Sequence, residues 1–399
     1  MLLQNNPYPQ DSRVRREATA LVGAGYEVTV ISPGRPGQPW QEVVDGVRAL
    51  RYPAPPPGDS TLGYLVEYGV ALAATWALSL YALLRHGFDV VHAHNPPDLF
   101  ALVAAPYKLL GKRFVFDHHD LAPEMYRARF GGGGSRALQR ALLLFERLSF
   151  RLADHVISTN ESYKRVAVER GGVPPSRVTV VRNGPDPERF RPVPPDPRLR
   201  AMGKTVFGYV GEMGVQDGLD YLLRALARLR DDLGRTDFYA VLVGTGSDRP
   251  RLMALAGELG LDPYVEFTGR VPFEDLLRYL SSADVCVCPD PKNEFTDAST
   301  MIKLTEYLAL AKPIVAFDLR EHRVTAGEAA LYAAPNDELD FARQLARLMD
   351  DPDLRRRMGE AGRARLEAGL TWAHSVPQLL AAYERLLPAA RREVTAWGD

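Results

Sequence analysis

Three short stretches hold the side chains whose types and spacing could do chemistry. In "EFTDASTMIKLTEYLALAKPIVAFD" (residues 294–318), a polar loop leads into an amphipathic helix that ends near Lys312 and Pro313, and a buried strand follows. Asp297, Ser299 and Thr300 are residue types that cap helix starts. The backbone amides of Ser299, Thr300 and Met301, with the helix dipole behind them, would make an anion site, and Lys303 would add a full positive charge. Glu306, further along the helix, could accept hydrogen bonds from a sugar or ribose diol. The plain alternative is a capped surface helix with an ordinary Lys303–Glu306 pair one turn apart.

The other two stretches are rich in histidine. "FVFDHHDLAPE" places Asp117, His118, His119, Asp120 and Glu124 directly after a strand, and "DVVHAHNPPD" adds His92 and His94. Adjacent side chains on an extended chain point to opposite faces, so only one of His118 and His119 can join a given site. His92 and His94 share a face. Such histidines could ligate a metal, touch a ligand or serve as satisfied strand-end side chains; no metal is expected.

Some chemistries are poorly supported. The first strand is followed by "NNPYPQDSRVRREA", without a glycine, and "VGTGSDRPRL" carries Gly244 and Gly246 but no third glycine. There is no G-x-x-x-x-G-K-[ST]. Nicotinamide chemistry and P-loop hydrolysis both lack their phosphate cradles. A formal net charge of -1 argues against nucleic acid held by general electrostatics. Cys286 and Cys288 share one face of a strand and read as core thiols, which fits a reducing cytoplasm. "MLLQNNPYP" lacks the pattern of a signal peptide. The apolar run at residues 70–84 is shorter than a membrane span needs. It reads as a helix buried against a sheet, with docking on a membrane surface as the alternative.

The elements that must position these residues alternate. Strand candidates are "MLLQN", "YEVTVIS", "FDVVHAH", "RFVFDHH", "HVISTN" and "VTVVRN", then "TVFGYVG", "YAVLVG", "VEFTG", "DVCVCP", "PIVAF" and "AALYA". Helical patterns lie between them, for example at residues 13–23 and 137–152. This alternation predicts an α/β chain of two doubly wound, Rossmann-like domains facing across a cleft, with ligands at the carboxyl ends of the strands. With 399 residues the chain exceeds one ordinary core. The proline-rich segment "RNGPDPERFRPVPPDPRLRAMGK" is the best linker, which gives domains 1–195 and 196–372 and a C-terminal helix, 373–399, packing back toward the first. "MYRARFGGGGSRALQR" reads as a surface loop or a flap over an acceptor.

The motifs together resemble the retaining nucleotide-sugar glycosyltransferases of family 4, also called group 1, which have the GT-B fold. The resemblance rests on "DSRVRREATALVGAGYEVTVI", "DVVHAHNPPD", "DHHDLAPE", "RLADHVISTNES", "VTVVRNG", "VEFTGRVP" and "MIKLTEYLALAKPIVAF", and it covers nearly the whole length. Within the family the chain is similar to the polysaccharide-assembly branch. This implies transfer of a sugar from a nucleotide-sugar donor to a sugar, lipid-linked or small-molecule hydroxyl, with retention and without a metal or other cofactor. It implies a cytoplasmic enzyme, with peripheral membrane contact as a further reading, and no nucleic-acid partner.

By the same resemblance, His119, Asp120 and Lys303 are the catalytic candidates. Gly211, Gly269, Arg270, Val271, Asp297, Ser299, Thr300, Met301 and Glu306 would bind the donor, Glu306 through the ribose hydroxyls. Arg13, His94 and Asn95 lie on the acceptor side. The chain departs from the family pattern in three places. Ala298 stands where the first carboxylate of Glu-x7-Glu is usual, and Asp297 is its substitute. Glu212 and Asp217 stand where relatives place an arginine and a lysine on the diphosphate, which shifts that charge onto Lys303, Arg270 or helix amides. Ala311 replaces a glycine, which is tolerable if its φ is negative. A nucleotide-sugar 2-epimerase and a non-catalytic relative are the alternative readings.

Overall fold

The computed structural model describes residues 1–54, 61–129 and 134–387. They divide into two units, one drawn from Met1–Arg127, Gly133–Arg182 and Ser375–Asp399, the other chiefly from Asn183–His374. The first unit holds β1 (Thr29–Gly34), β2 (Gln41–Val44), β3 (Val47–Pro53), β4 (Val90–His94), β5 (Arg113–His118), β6 (His155–Ser158) and β7 (Val178–Val180). Strands β4 to β7 form a parallel sheet in sequence order, and β1, β3 and β2 form a second set. Leu2 bridges both Ile31 and Ala93, so the chain start lies between β1 and β4. The expected strand "MLLQN" is reduced to this bridge. The hairpin β2–β3 was missed, although Asp45 and Gly46 both have positive φ, the turn that an Asp-Gly pair favours.

The second unit is one parallel sheet in the order β10-β9-β8-β11-β12-β13. Its strands are β8 (Thr205–Val210), β9 (Phe238–Val243), β10 (Val265–Gly269), β11 (Val285–Cys288), β12 (Ile314–Phe317) and β13 (Ala330–Ala333). The inner strands run apolar on both faces, whereas the edge strand β10 carries Glu266 and Thr268 half-buried. Phe207, Tyr209, Val285 and Val287 enter one core, while Val206, Val210, Cys286 and Cys288 enter the other. A strand covered on both sides needs this continuous apolar run, and each large side chain so buried stabilises by about 1.5–3 kcal/mol. Both thiols are free and buried.

One expectation changes. The proline-rich segment is not a bare linker. Phe190 and Leu199 are buried in the second unit's core, and the Val193 and Asp196 amides donate to the Ser281 and Ser282 hydroxyls. Asp196 also caps a short helix, Pro197–Ala201, whose first residue is a proline, where its missing N–H costs nothing. The C-terminal helix Trp372–Leu386 packs on the first unit. There Tyr383 stacks edge-on against Tyr26 and meets His92 Nδ1 at 2.7 Å.

The apolar run is longer than its core suggested. The helix Thr61–His86 spans 26 residues, and Val66–His86 is long and apolar enough to cross a membrane by length and composition. Its buried stripe is Ala71, Thr75, Ser79 and Ala82, whereas Val66, Val70, Trp76, Leu80 and Leu84 are exposed. Leu72, Leu78, Tyr81 and Leu83 pack partly against the core, so apolar side chains lie on the exposed face as well as the packed one.

Ala311 has φ +53, so the condition under which it would replace a glycine without strain is not met. It follows the helix Ile302–Ala309, where the chain turns into β12, and a Cβ on Gly359 would lie 2.1 Å from its carbonyl oxygen. Packing therefore holds an L-residue in the left-handed region, at a cost of about 1–2 kcal/mol. Ala311→Gly is expected to stabilise the protein by about 1 kcal/mol, seen as a higher urea midpoint at unchanged slope. An unchanged or lower midpoint would refute the strain.

Candidate active site

In the second unit, chain order reverses at β8: β9 and β10 lie to one side, β11 to β13 to the other. Loops leaving β8 and β11 therefore part, which opens a crevice at their carboxyl ends. The backbones there come unusually close. A Cβ on Gly244, after β9, would lie 1.9 Å from the Gly211 oxygen, and one on Gly218 would lie 2.2 Å from the Pro289 oxygen. Gly218 also has φ +67 and leads into the helix Leu219–Asp231. The Gly244 amide donates to the Gly269 carbonyl at 3.1 Å, which brings the β10 end, with exposed Arg270 and half-buried Val271, to the same edge.

Lys303 points into this edge from the helix Ile302–Ala309. Its Nζ lies 3.0 Å from Asp290 Oδ1, 3.5 Å from the Tyr209 hydroxyl and 3.8 Å from Asp217 Oδ1, above the Tyr209 ring. Burial disfavours the ammonium, but Asp290 first, then Tyr209, Cys288 and Asp217, hold its pKa well above the usual lysine range. The Cys288 thiol donates to Asp290 Oδ2 at 2.9 Å. Asp217 Oδ2 accepts from the Gly214 amide at 3.0 Å and from Gln216 Nε2 at 3.1 Å. Burial raises the Asp217 pKa to about 6; Lys303 opposes the rise, and Asp290 and Glu212 add to it. Glu212 is exposed.

The expected caps of the Lys303 helix lie elsewhere. Asn293 starts a separate short helix, Glu294–Ala298, by accepting the Phe295 and Thr296 amides, so Asp297 falls inside that helix and Ser299 at its end. Asp297 Oδ1 accepts the Arg320 amide at 2.9 Å, and the Thr300 hydroxyl donates to Glu321 at 3.0 Å. Met301 takes the cap position of the Lys303 helix, and no side chain caps the amides there. Glu306 is half-buried on the same helix. Asp290 was missed, although an acid immediately after "VCVCP" stands where a strand's carboxyl end meets ligand.

The first unit has its own cluster, at the ends of β4 and β5. Asp117 Oδ2 lies 3.2 Å from His92 Nε2, 3.1 Å from His94 Nδ1 and 3.2 Å from His119 Nε2, and the last two nitrogens are 3.0 Å apart. His118 points the other way, against Phe150, Tyr163 and Glu146, as adjacent strand residues must. Burial opposes the charged form of Asp117, but His119, and then His92 and His94, hold its pKa well below the carboxylate range. Burial pushes His94 down to about 3. Glu17, on the helix Ser12–Gly23, is driven well above its ordinary range by burial and by Asp117. Sequence reading passed over Glu17, an acid on a helix face otherwise set by Val14, Ala18 and Leu21. Glu17, His94, Asp117 and His119 offer ligand atoms within 4.8 Å of one another, the set most able to hold a divalent ion.

Asn95 ties this cluster together. Its Oδ1 accepts the His119 amide at 2.6 Å and the Asp120 amide at 3.0 Å, while Nδ2 donates to Asp98 and to the Asp120 carbonyl. Arg13 bonds Asp11, which caps its helix, and its charge is felt by Asp117 and Asp120. Glu124 is drawn away into a pairing with Arg170, which also holds Glu146. The glycine run at residues 131–133, and with it the flap reading, lies outside the described residues.

Residues 11–189 match the family described as Glycosyltransferase Family 4, and residues 204–351 match Glycosyl transferases group 1. Two curated relatives illustrate the likeness. The 2-deoxystreptamine glucosyltransferase of Streptomyces kanamyceticus is 26% identical over 95% of this chain and 99% of its own length. The D-inositol 3-phosphate glycosyltransferase of Nocardia farcinica is 31% identical over 74% and 68%. Among solved structures, Anabaena HepE in complex with UDP-glucose superposes with a TM-score of 0.70 at 16% identity, covering 96% of this chain and 99% of that one.

Asn95→Ala removes two acceptor and two donor contacts and leaves buried amides unpaired. It is expected to cost about 2–3 kcal/mol of unfolding free energy. Loss of less than about 0.5 kcal/mol in urea titration would show that the two loops hold without it.

Proposed function

We propose that this chain, which belongs to the family 4 (group 1) glycosyltransferases, moves a sugar from a nucleotide-sugar donor to a hydroxyl acceptor with retention, in the assembly of cell-surface polysaccharide or glycoconjugate. The observation that carries the reading is the crevice at the β8 and β11 ends. There loops drawn together by Gly211, Gly218 and Gly244 meet an inward-pointing lysine. Backbone without side chains, a capless helix start and one ammonium suit a diphosphate. The UDP-glucose carried by HepE, a protein of this fold, supports a donor of that class.

The roles are those that membership of family 4 implies. The backbone at Gly269, Arg270 and Val271 reads the base, Glu306 holds the ribose, and the loop after Gly211 with the start of the Lys303 helix receives the diphosphate. In the first unit, Arg13, His94 and Asn95 serve the acceptor, and His119 and Asp120 orient reacting hydroxyls. The bond from the anomeric carbon to the diphosphate breaks and the acceptor oxygen bonds the same face. The acceptor proton passes to the leaving diphosphate, so no strong protein base and no metal are needed. Leaving-group stabilisation by Lys303 and the helix start supplies about 2–4 kcal/mol.

The exposed apolar face of the helix Thr61–His86 gives the acceptor a setting. Residues 68–84 carry no Asp, Glu, Lys or Arg, and exposed Trp76, Leu80 and Leu84 are followed by exposed Arg85. Arg113 and Lys112 lie close by, the latter 3.7 Å from Asp89 just after the helix. Apolar side chains beside cations fit an anionic bilayer surface, and a lipid-linked acceptor would be presented there.

Two measurements test this. Because Lys303→Ala would strand the buried Asp290, Lys303→Met is paired with Asp290→Asn. The pair should lower turnover about 30- to 1000-fold while acceptor affinity stays within a factor of about three. Wild-type turnover in the folded pair, or loss of wild-type transfer in EDTA, would overturn the mechanism. Separately, the triple change Val70→Ser, Leu80→Ser and Leu84→Ser should weaken sedimentation with phosphatidylglycerol vesicles about tenfold or more. Unchanged sedimentation, or a lipid-independent dimer abolished by the same changes, would reassign the face.

A further inference from the structure

The diphosphate end of the donor site, as read above, has the wrong charge balance. Lys303 is flanked by two carboxylates, Asp290 at 3.0 Å and Asp217 at 3.8 Å, so its charge is already met and one negative charge is left over. Among the described residues, no element packed on this spot relieves the imbalance. β8 offers the Tyr209 hydroxyl and β11 the Cys288 thiol, both with pKa values pushed up by burial, so both are neutral. The helix Arg320–Ala326 offers His322, whose Nε2 is 3.6 Å from the Cys288 sulfur and whose pKa burial lowers. The β8 loop adds the exposed carboxylate of Glu212. Among the described residues around the cluster, no second cation faces it. A diphosphate brought here would meet net negative charge.

The two acids are not equivalent. Asp290 has a 1% exposed side chain and is bound on both oxygens, by Lys303 and by the Cys288 thiol. Asp217 is 16% exposed, and its Oδ2 is occupied by the Gly214 amide and Gln216. Only its Oδ1 is held by the looser 3.8 Å pairing. We propose that the nucleotide-sugar donor binds with Asp217 as a neutral acid. One proton is taken from solvent onto Oδ1, and the O–H then donates to a diphosphate oxygen, while Lys303 keeps Asp290 and its ammonium, no longer paired with Asp217, faces the same diphosphate. Asp217 thus does with a proton what a cation would do with its charge. Its pKa near 6 in the free protein is consistent with a proton that is nearly available.

The sign follows. At pH well above the free pKa, each bound donor must bring a proton with it, so affinity falls as pH rises. With a free pKa of about 6 and a bound value above 8, the donor Kd should weaken roughly 30- to 50-fold between pH 6 and 8. Asn is the isostere of the neutral acid: its oxygen can keep the Gly214 amide and its NH2 can face the phosphate.

The experiment is calorimetric titration with UDP-glucose, UDP-N-acetylglucosamine, GDP-mannose, ADP-glucose and dTDP-glucose. Their diphosphates do not titrate between pH 5 and 8. Repeating the best binder at pH 7.5 in buffers of different ionisation enthalpy counts protons. The wild type should take up close to one proton. Asp217→Asn should take up none and bind equally at pH 6 and 8, near the wild-type affinity at pH 6. Donor binding without proton uptake in the wild type, or the same pH dependence in Asp217→Asn, overturns the inference but leaves the donor site standing. No binding of any nucleotide sugar at any pH removes the donor site itself, and the inference with it.

Discussion

The second unit depends on the reversal of strand order at β8. A parallel sheet can place backbone amides, a helix start and a buried cation around one point only where two loops leave neighbouring strands in opposite directions. β8 and β11 meet that condition, and the residues that follow them form the cluster on Lys303. The glycines are a consequence of the same crowding. Side chains at Gly244 or Gly218 would collide with the neighbouring loop's carbonyl oxygens, so the loops approach this closely only without them.

The first unit solves a related problem with side chains. Its chain start lies between β1 and β4, and the ends of β4 and β5 carry three histidines around the single oxygen of Asp117. Buried charge of that density persists only when each member has a partner. Asn95 supplies the framework by accepting two consecutive backbone amides of the β5 loop. The two clusters contrast in how they hold charge: one surrounds an anion with imidazoles, the other surrounds a cation with carboxylates. The second arrangement leaves excess negative charge where a diphosphate is proposed to bind, and that imbalance makes protonation of Asp217 part of donor recognition.

Most of the scaffold could be read from the sequence, which also singled out Lys303, His94 and His119, three of the side chains that the fold gathers into clusters. Continuous apolar runs between helical patterns predict parallel strands covered on both faces, and all six strands foreseen for the second unit are present. The opposite orientations of His118 and His119, and the shared face of His92 and His94, follow from the two-residue period of an extended chain. So does the common core of Cys286 and Cys288. These are local consequences of backbone geometry, which a sequence carries at every position.

Long-range packing decided the rest. Nothing near Lys303 in the chain announces Asp217 as its partner, because their contact exists only after β8 and the helix Ile302–Ala309 are brought to one edge. Asp297, Ser299 and Thr300 do not cap the Lys303 helix, because a separate short helix started by Asn293 takes in Asp297 and ends at Ser299, which leaves Met301 at the cap position. Ala311 sits at positive φ because Gly359 packs against its carbonyl, a strain no local propensity would choose. Sequence alone left the run at 70–84 as a core helix or a membrane-surface helix. The structure buries Ala71, Thr75, Ser79 and Ala82 and leaves Val70, Trp76, Leu80 and Leu84 exposed. Periodicity shows that a helix has faces, but only the surface it packs against decides which face is buried.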